Sequence, residues 1–164
     1  MSPLQTKLRD AAIDGQNDLY DIINKYSSTN KFGGCRQIDM MSQVGNMYIC
    51  FEYKLLSKCN FWPVPTYQFA YNQIKFAKNL LKDKSIPTIL MVRDRDDDKI
   101  YVVWVRDLTQ DSYYWASQYK SYNIKFSHFV ELDNVDSLDK FIIKRYPDIY
   151  DDDSDEVSDW FDDL

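Results

Sequence analysis

The segment MYICFEYKLL, residues 47–56, limits what this chain can fold into more than any other stretch. Apart from Glu52 and Lys54 it is apolar or aromatic throughout, the pattern of a strand covered on both faces of a sheet. Alternate side chains of a strand share a face. Tyr48, Cys50, Glu52 and Lys54 therefore point one way, and Ile49, Phe51, Tyr53 and Leu55 the other. The second face is apolar but for the Tyr53 hydroxyl. The first carries a carboxylate and an ammonium two residues apart, where charge is costly unless paired, and such groups mark functional sites. Upstream, SQVGN supplies turn chemistry and CRQIDMM a short extended run. Residues 35–55 thus predict a β-hairpin that brings Asp39 close to Glu52.

Around this hairpin the chain alternates helical and extended patterns. Leu19, Ile22, Ile23 and Tyr26 recur at helical spacing and predict an amphipathic helix over residues 16–26, with a further strand near residue 32. Pro63 and Pro65 keep CNFWPVP irregular. A helix over 66–82 follows, capped by Thr66, with Phe69, Phe76, Ala77 and Leu80 on its apolar stripe. SIPTILMV and KIYVVWV read as central strands joined by the charged turn RDRDDD. YNIKFSHFVEL alternates, which places His128 among core residues. DSLDKFIIKRY closes the domain as a helix with Asp136 or Ser137 near its cap, ended by Pro147. The predicted architecture is α/β: one mixed central sheet flanked by helices.

Charge divides the chain into residues 1–146 and 147–164. Residues 147–164 hold nine acids and no Lys or Arg, which leaves 17 acids against 20 bases in the body. The overall charge of −6 therefore belongs to the tail, and the body is mildly basic. A stretch so acidic and poor in apolar residues is expected not to fold alone, so its deletion from residue 148 is expected to cost little stability. Its Val157, Trp160, Phe161 and Leu164 suit docking on a basic groove of a protein partner. Three cysteines in no metal-binding spacing point to a reducing, cytoplasmic setting. No apolar run is long enough to span a bilayer. Cys50, within an apolar run, reads as an inert buried thiol.

The arrangement of Asp39 (QIDMM), then Glu52-x-Lys54 (ICFEYK) on a following apolar strand, then a helix and a strand, resembles the PD-(D/E)XK or restriction-endonuclease-like superfamily over roughly residues 16–106. The resemblance implies a nuclease core and a Mg²⁺ or Mn²⁺ ion held by Asp39 and Glu52, hard oxygen donors of the kind these ions take. Lys54 would offset charge on the scissile phosphate. It also implies a Gln or Tyr from the next helix, for which Gln73 is the candidate, with Gln68 and Tyr71 a turn earlier. Two departures stand out: no Pro precedes Asp39, and Gln68 to Tyr71 lacks the Gln-x-x-x-Tyr spacing of RecB-like members. Asp18 and Asp21 offer acids in the first helix.

The predicted function is metal-dependent hydrolysis of nucleic acid, DNA rather than RNA. Lys75, Lys78 and Lys82 would form a phosphate rail on the helix. Tyr113, Tyr114, Trp115, Tyr119 and Tyr122 are available to stack on unpaired bases or to cover a sheet edge. Asp94, Asp96, Asp97 and Asp98 fail as a calcium loop, because the sixth position lacks Gly and the twelfth is Val105. The alternative is an inactive nuclease fold that binds or inhibits a protein partner through its acidic tail. A homodimer is left open.

Overall fold

A two-residue turn organises the centre of the molecule. β2 (Met40–Val44) and β3 (Met47–Leu56) pair antiparallel with Val44 opposite Met47, so Gly45 and Asn46 alone make the reversal. Gly45 has φ +56, in the left-handed region that favours glycine. In the computed structural model, residues 29–31 and 40–151 are described. The helix expected over 16–26 and the site residue Asp39 lie outside them. β1 (Thr29–Lys31) pairs with β2, matching the extra strand expected near residue 32.

Beyond β3 the sheet grows in both senses. β5 (Thr88–Asp94) runs parallel to β3, and β6 (Ile100–Trp104) pairs antiparallel with β5 across the turn at Arg95–Asp98. β9 (Val130–Leu132) closes the far edge, giving the order β1-β2-β3-β5-β6-β9. This is the mixed central sheet that the apolar runs predict. Its two faces separate cleanly. Ile49, Phe51, Tyr53, Ile89, Met91 and Val102 pack against Leu138 and Ile142 of α2 (Val135–Arg145). Cys50, Leu90, Val92 and Val103 pack against Ile74 and Ala77 of α1 (Tyr71–Lys84).

A second, three-stranded sheet was not legible locally. Residues 66–70 form β4 (Thr66–Ala70) rather than the first turn of a helix, and β4 pairs with β8 (Ser121–Lys125), which also pairs with β7 (Tyr113–Ala116). The alternation of buried Tyr67 and Phe69 with exposed Gln68 and Ala70 fits a half-buried strand. The predicted helix 66–82 therefore begins at Tyr71, whose N–H donates to the Lys120 carbonyl at 2.9 Å. It ends at Lys84, with Ser85 in a left-handed cap. Thr66 caps nothing, and Phe76 is exposed rather than on the buried stripe.

Two further expectations change. The run 121–132 does not continue as one strand. A 3-10 helical turn at Phe126–His128 carries the chain from β8 to β9, from one sheet to the other, and leaves His128 exposed instead of in the core. The closing helix is capped by Asn134, which accepts from the Ser137 N–H at 3.0 Å, while Ser137 Oγ accepts from the Asn134 N–H at 3.3 Å, so Ser137 belongs to the cap as expected. Past Pro147 the ordered packing continues: Ile149 is buried in the core beside Leu138 and Ile142. Deleting the chain from residue 148 would therefore remove a core side chain.

Candidate functional site

Glu52 stands in the middle of β3, facing α1. Its side chain is only 3% exposed, among Cys50, Leu90 and Val92 on the same face. A carboxylate in that position needs partners, and Gln73 and Lys54 are among them. Gln73, in the first turn of α1, donates from Nε2 to Glu52 Oε1 at 3.0 Å. Lys54 brings Nζ to 3.4 Å from the same oxygen, with its side chain about one third exposed. Three of the candidate residues thus meet at one carboxylate oxygen. The hairpin's period of two and the start of α1 bring them together.

Asp39 lies outside the described residues, so its distance from Glu52 is not part of this geometry. Among the described residues, no group of three or more His, Cys, Asp or Glu side chains is placed to hold a metal ion. Lys75 and Lys82 are exposed on α1. Lys78 is half-buried, its Nζ 5.4 Å from the centre of the Tyr122 ring, and Lys75 Nζ lies 5.5 Å from that of Tyr71. Gln68 belongs to β4 and faces away from Glu52, towards Ser121. Cys50 is a free buried thiol pushed by burial up to about 12, which suits an inert side chain and not a nucleophile.

A second charged cluster escaped the sequence reading except as a hairpin tip. Asp94, fully buried at the end of β5, accepts from the Tyr67 hydroxyl at 2.6 Å and the Asp96 N–H at 2.8 Å, and pairs with Lys58 Nζ at 3.0 Å. Lys58 also lies 3.4 Å from Asp97, which accepts from the Tyr101 hydroxyl at 2.5 Å. The network ties the irregular segment after β3 to the β5–β6 turn. The signal for it was a lone acid closing the apolar run TILMVRD.

Burial works against the charge of Asp94, but the Tyr67 hydroxyl, the Asp96 amide and Lys58 outweigh it and hold its carboxyl below the ordinary 3.8. A carboxyl lowered in the folded state stabilises fully above its unfolded value and loses that contribution as pH falls through the folded one. Asp94→Asn is therefore expected to cost about 3 kcal/mol at neutral pH, because Lys58 loses its buried counter-charge and one of the two accepting oxygens becomes an NH2 that cannot accept. It should also flatten the loss of stability below about pH 4. Urea melts of both proteins from pH 7 to pH 2 check this, and parallel curves would contradict it.

No family model matches the sequence, and no curated protein was found to match it. Among solved structures, the fold is similar to Hjc, a Holliday junction resolvase from the archaeal hyperthermophile Archaeoglobus fulgidus. The TM-score is 0.51 and the identity 12%, over 74% of this chain and 92% of that one. At that identity the likeness is one of fold: the mixed α/β core resembles that of a resolvase nuclease. No helix among the described residues is long and apolar enough to cross a membrane.

Proposed function

We propose that this chain is a divalent-metal-dependent nuclease acting on DNA, with Asp39, Glu52 and Lys54 as its catalytic residues and Gln73 positioning Glu52. The observation that carries the reading is the buried Glu52 carboxylate, held by Gln73 Nε2 and Lys54 Nζ on the central strand. A structural domain gains little from burying a charge there, since a well-packed apolar residue would serve stability at least as well. The resolvase likeness supports DNA as substrate and makes four-way branched DNA the first to try.

The donor set fits Mg²⁺ or Mn²⁺, which take hard carboxylate oxygens. Glu52 supplies one carboxylate. Asp39 is proposed for the second: it adjoins Met40, and Met40 pairs with Phe51, the neighbour of Glu52. When bound, the ion supplies Lewis-acid stabilisation of charge building on the phosphate. Gln73 fixes the rotation of the Glu52 carboxylate by donating to Oε1. Lys54, partly open to solvent, offers an ammonium with three N–H donors to the phosphate oxygens and offsets their charge.

The test is a cleavage screen over single-stranded, duplex and branched DNA and over RNA, with Mg²⁺, Mn²⁺ or a chelator. No cleavage with either ion overturns the reading. A second measurement isolates Gln73. Gln73→Ala is expected to raise the metal concentration for half-maximal cleavage about 10–100-fold, as for other residues that orient a ligand. A lower maximal rate at an unchanged metal midpoint would contradict a role through Glu52.

A further inference from the structure

The small sheet turns Tyr67, Phe69, Tyr122 and Ile124 inward to the core and leaves its other face as the floor of a groove. Across that floor Gln68, Asn123 and Tyr114 form one cross-strand row. The groove has a volume of about 530 Å³, within the range of small-ligand sites. Its walls are aromatic. Trp62 stacks on Tyr114 with rings parallel to 1° at 4.9 Å, and Phe61 meets Trp62 edge-on. Phe61 is 82% exposed and Tyr119 69%, an unusual outlay of aromatic surface to water.

The floor is polar although buried. Asn123 is 3% exposed, yet its amide donates only at 3.5 Å, to the Tyr114 carbonyl and to Ser121 Oγ. Bonds of that length are weak. Gln68, exposed beside it, donates to Ser121 Oγ at 3.1 Å. Two amides thus lie at the bottom of a slot of aromatic planes, each amide carrying donors and an acceptor side by side. Lys125 Nζ stands 5.1 Å from the Tyr114 ring centre and adds positive charge at the same face. Flat walls, paired donors and acceptors below and a cation at the side are the chemistry of an unpaired nucleobase on its strand.

The opposite face of the same sheet leads to the Glu52 site: Trp115, paired with the inward Tyr122, contacts Tyr71, the first residue of α1, and Gln73 two residues later holds Glu52. We propose that this groove binds an unpaired base of the DNA strand presented to Glu52, so that the protein prefers substrates with a single-stranded segment or an open branch. The proposal rests on the nuclease reading for its biological substrate, but its binding test does not depend on cleavage.

The experiment measures binding of labelled single-stranded and fully paired DNA by fluorescence anisotropy, with chelator present to hold cleavage off. Phe61→Ala/Tyr119→Ala, both exposed and so tolerated by the fold, is expected to weaken single-strand binding about tenfold or more. Duplex binding should change less than twofold. Gln68→Ala should reduce differences among homopolymers, because it removes a base-edge contact. Unchanged single-strand affinity in the double variant overturns the proposal. So does a shift in sedimentation without a change in DNA binding, which would assign the groove to a second copy of the chain. If the wild type cleaves nothing yet the double variant loses single-strand binding, the nuclease reading falls and the groove stands. Cleavage with groove-independent binding gives the reverse.

Discussion

Glu52→Gln is expected to lower DNA cleavage by at least about 10³-fold while leaving the melting temperature unchanged or raised. The volume is conserved, and the new side-chain carbonyl still accepts from Gln73 Nε2, which now donates to Oε1 at 3.0 Å. What disappears is a buried negative charge and the desolvation it costs. Lys54 is not stranded, because about a third of its side chain reaches water. Lys54→Ala should fail in cleavage too, but with the opposite effect on stability. It takes a cation 3.4 Å away from a carboxylate that is 3% exposed, a loss on the order of 1 kcal/mol. The paired signs matter: a structural ion pair would lose stability in both variants, and a catalytic carboxylate only in the second. Wild-type turnover in a clean Glu52→Gln preparation would end the assignment.

The site was legible because it lies on one strand and the helix that follows. A period of two put Glu52 and Lys54 on one face from the sequence alone, and β3 has the limits read for it, Met47–Leu56. Gln73 was legible only through the family resemblance, which implies a Gln or Tyr from the next helix. The residues 66–70 were not, because Phe69 satisfies helical spacing with Phe76 and strand alternation with Tyr67 equally well. The partner that decides, β8, lies more than fifty residues on. The same long-range pairing makes the groove, whose floor joins β4 to β7–β8. His128 failed for a different reason: alternation predicts a face only while the strand continues, and a 3-10 turn breaks it at Phe126. Ile149 was hidden by its neighbours, since one apolar residue among acids carries no periodicity.

Ile149 makes the C-terminus the second decisive test. A chain ending at Asp151 is expected to melt like the full protein. It loses the seven acids of residues 152–164, leaving 19 acids against 20 bases, so the net charge goes from −6 to +1. Its DNA binding should tighten and depend more steeply on salt. A chain ending at Pro147 should instead lose about 4 kcal/mol, or on the order of 10 °C in melting temperature. It forfeits a side chain 1% exposed in the core, the Asn46 N–H to Ile149 carbonyl bond at 2.8 Å and the Asn46 amide to Asp148 carbonyl bond at 3.1 Å. Gly45→Ala probes the same contact from the other side. A Cβ on Gly45 would sit 2.0 Å from the Ile149 carbonyl oxygen, so residues 148–150 must leave the hairpin turn. In the full chain the substitution should therefore cost about as much as the Pro147 truncation. In the truncated chain the oxygen is already gone, and only the left-handed strain at φ +56 remains, about 1 kcal/mol. The two perturbations are then strongly non-additive. Additive losses in thermal melts of the double variant would show that residues 148–150 do not pack on the Gly45–Asn46 turn.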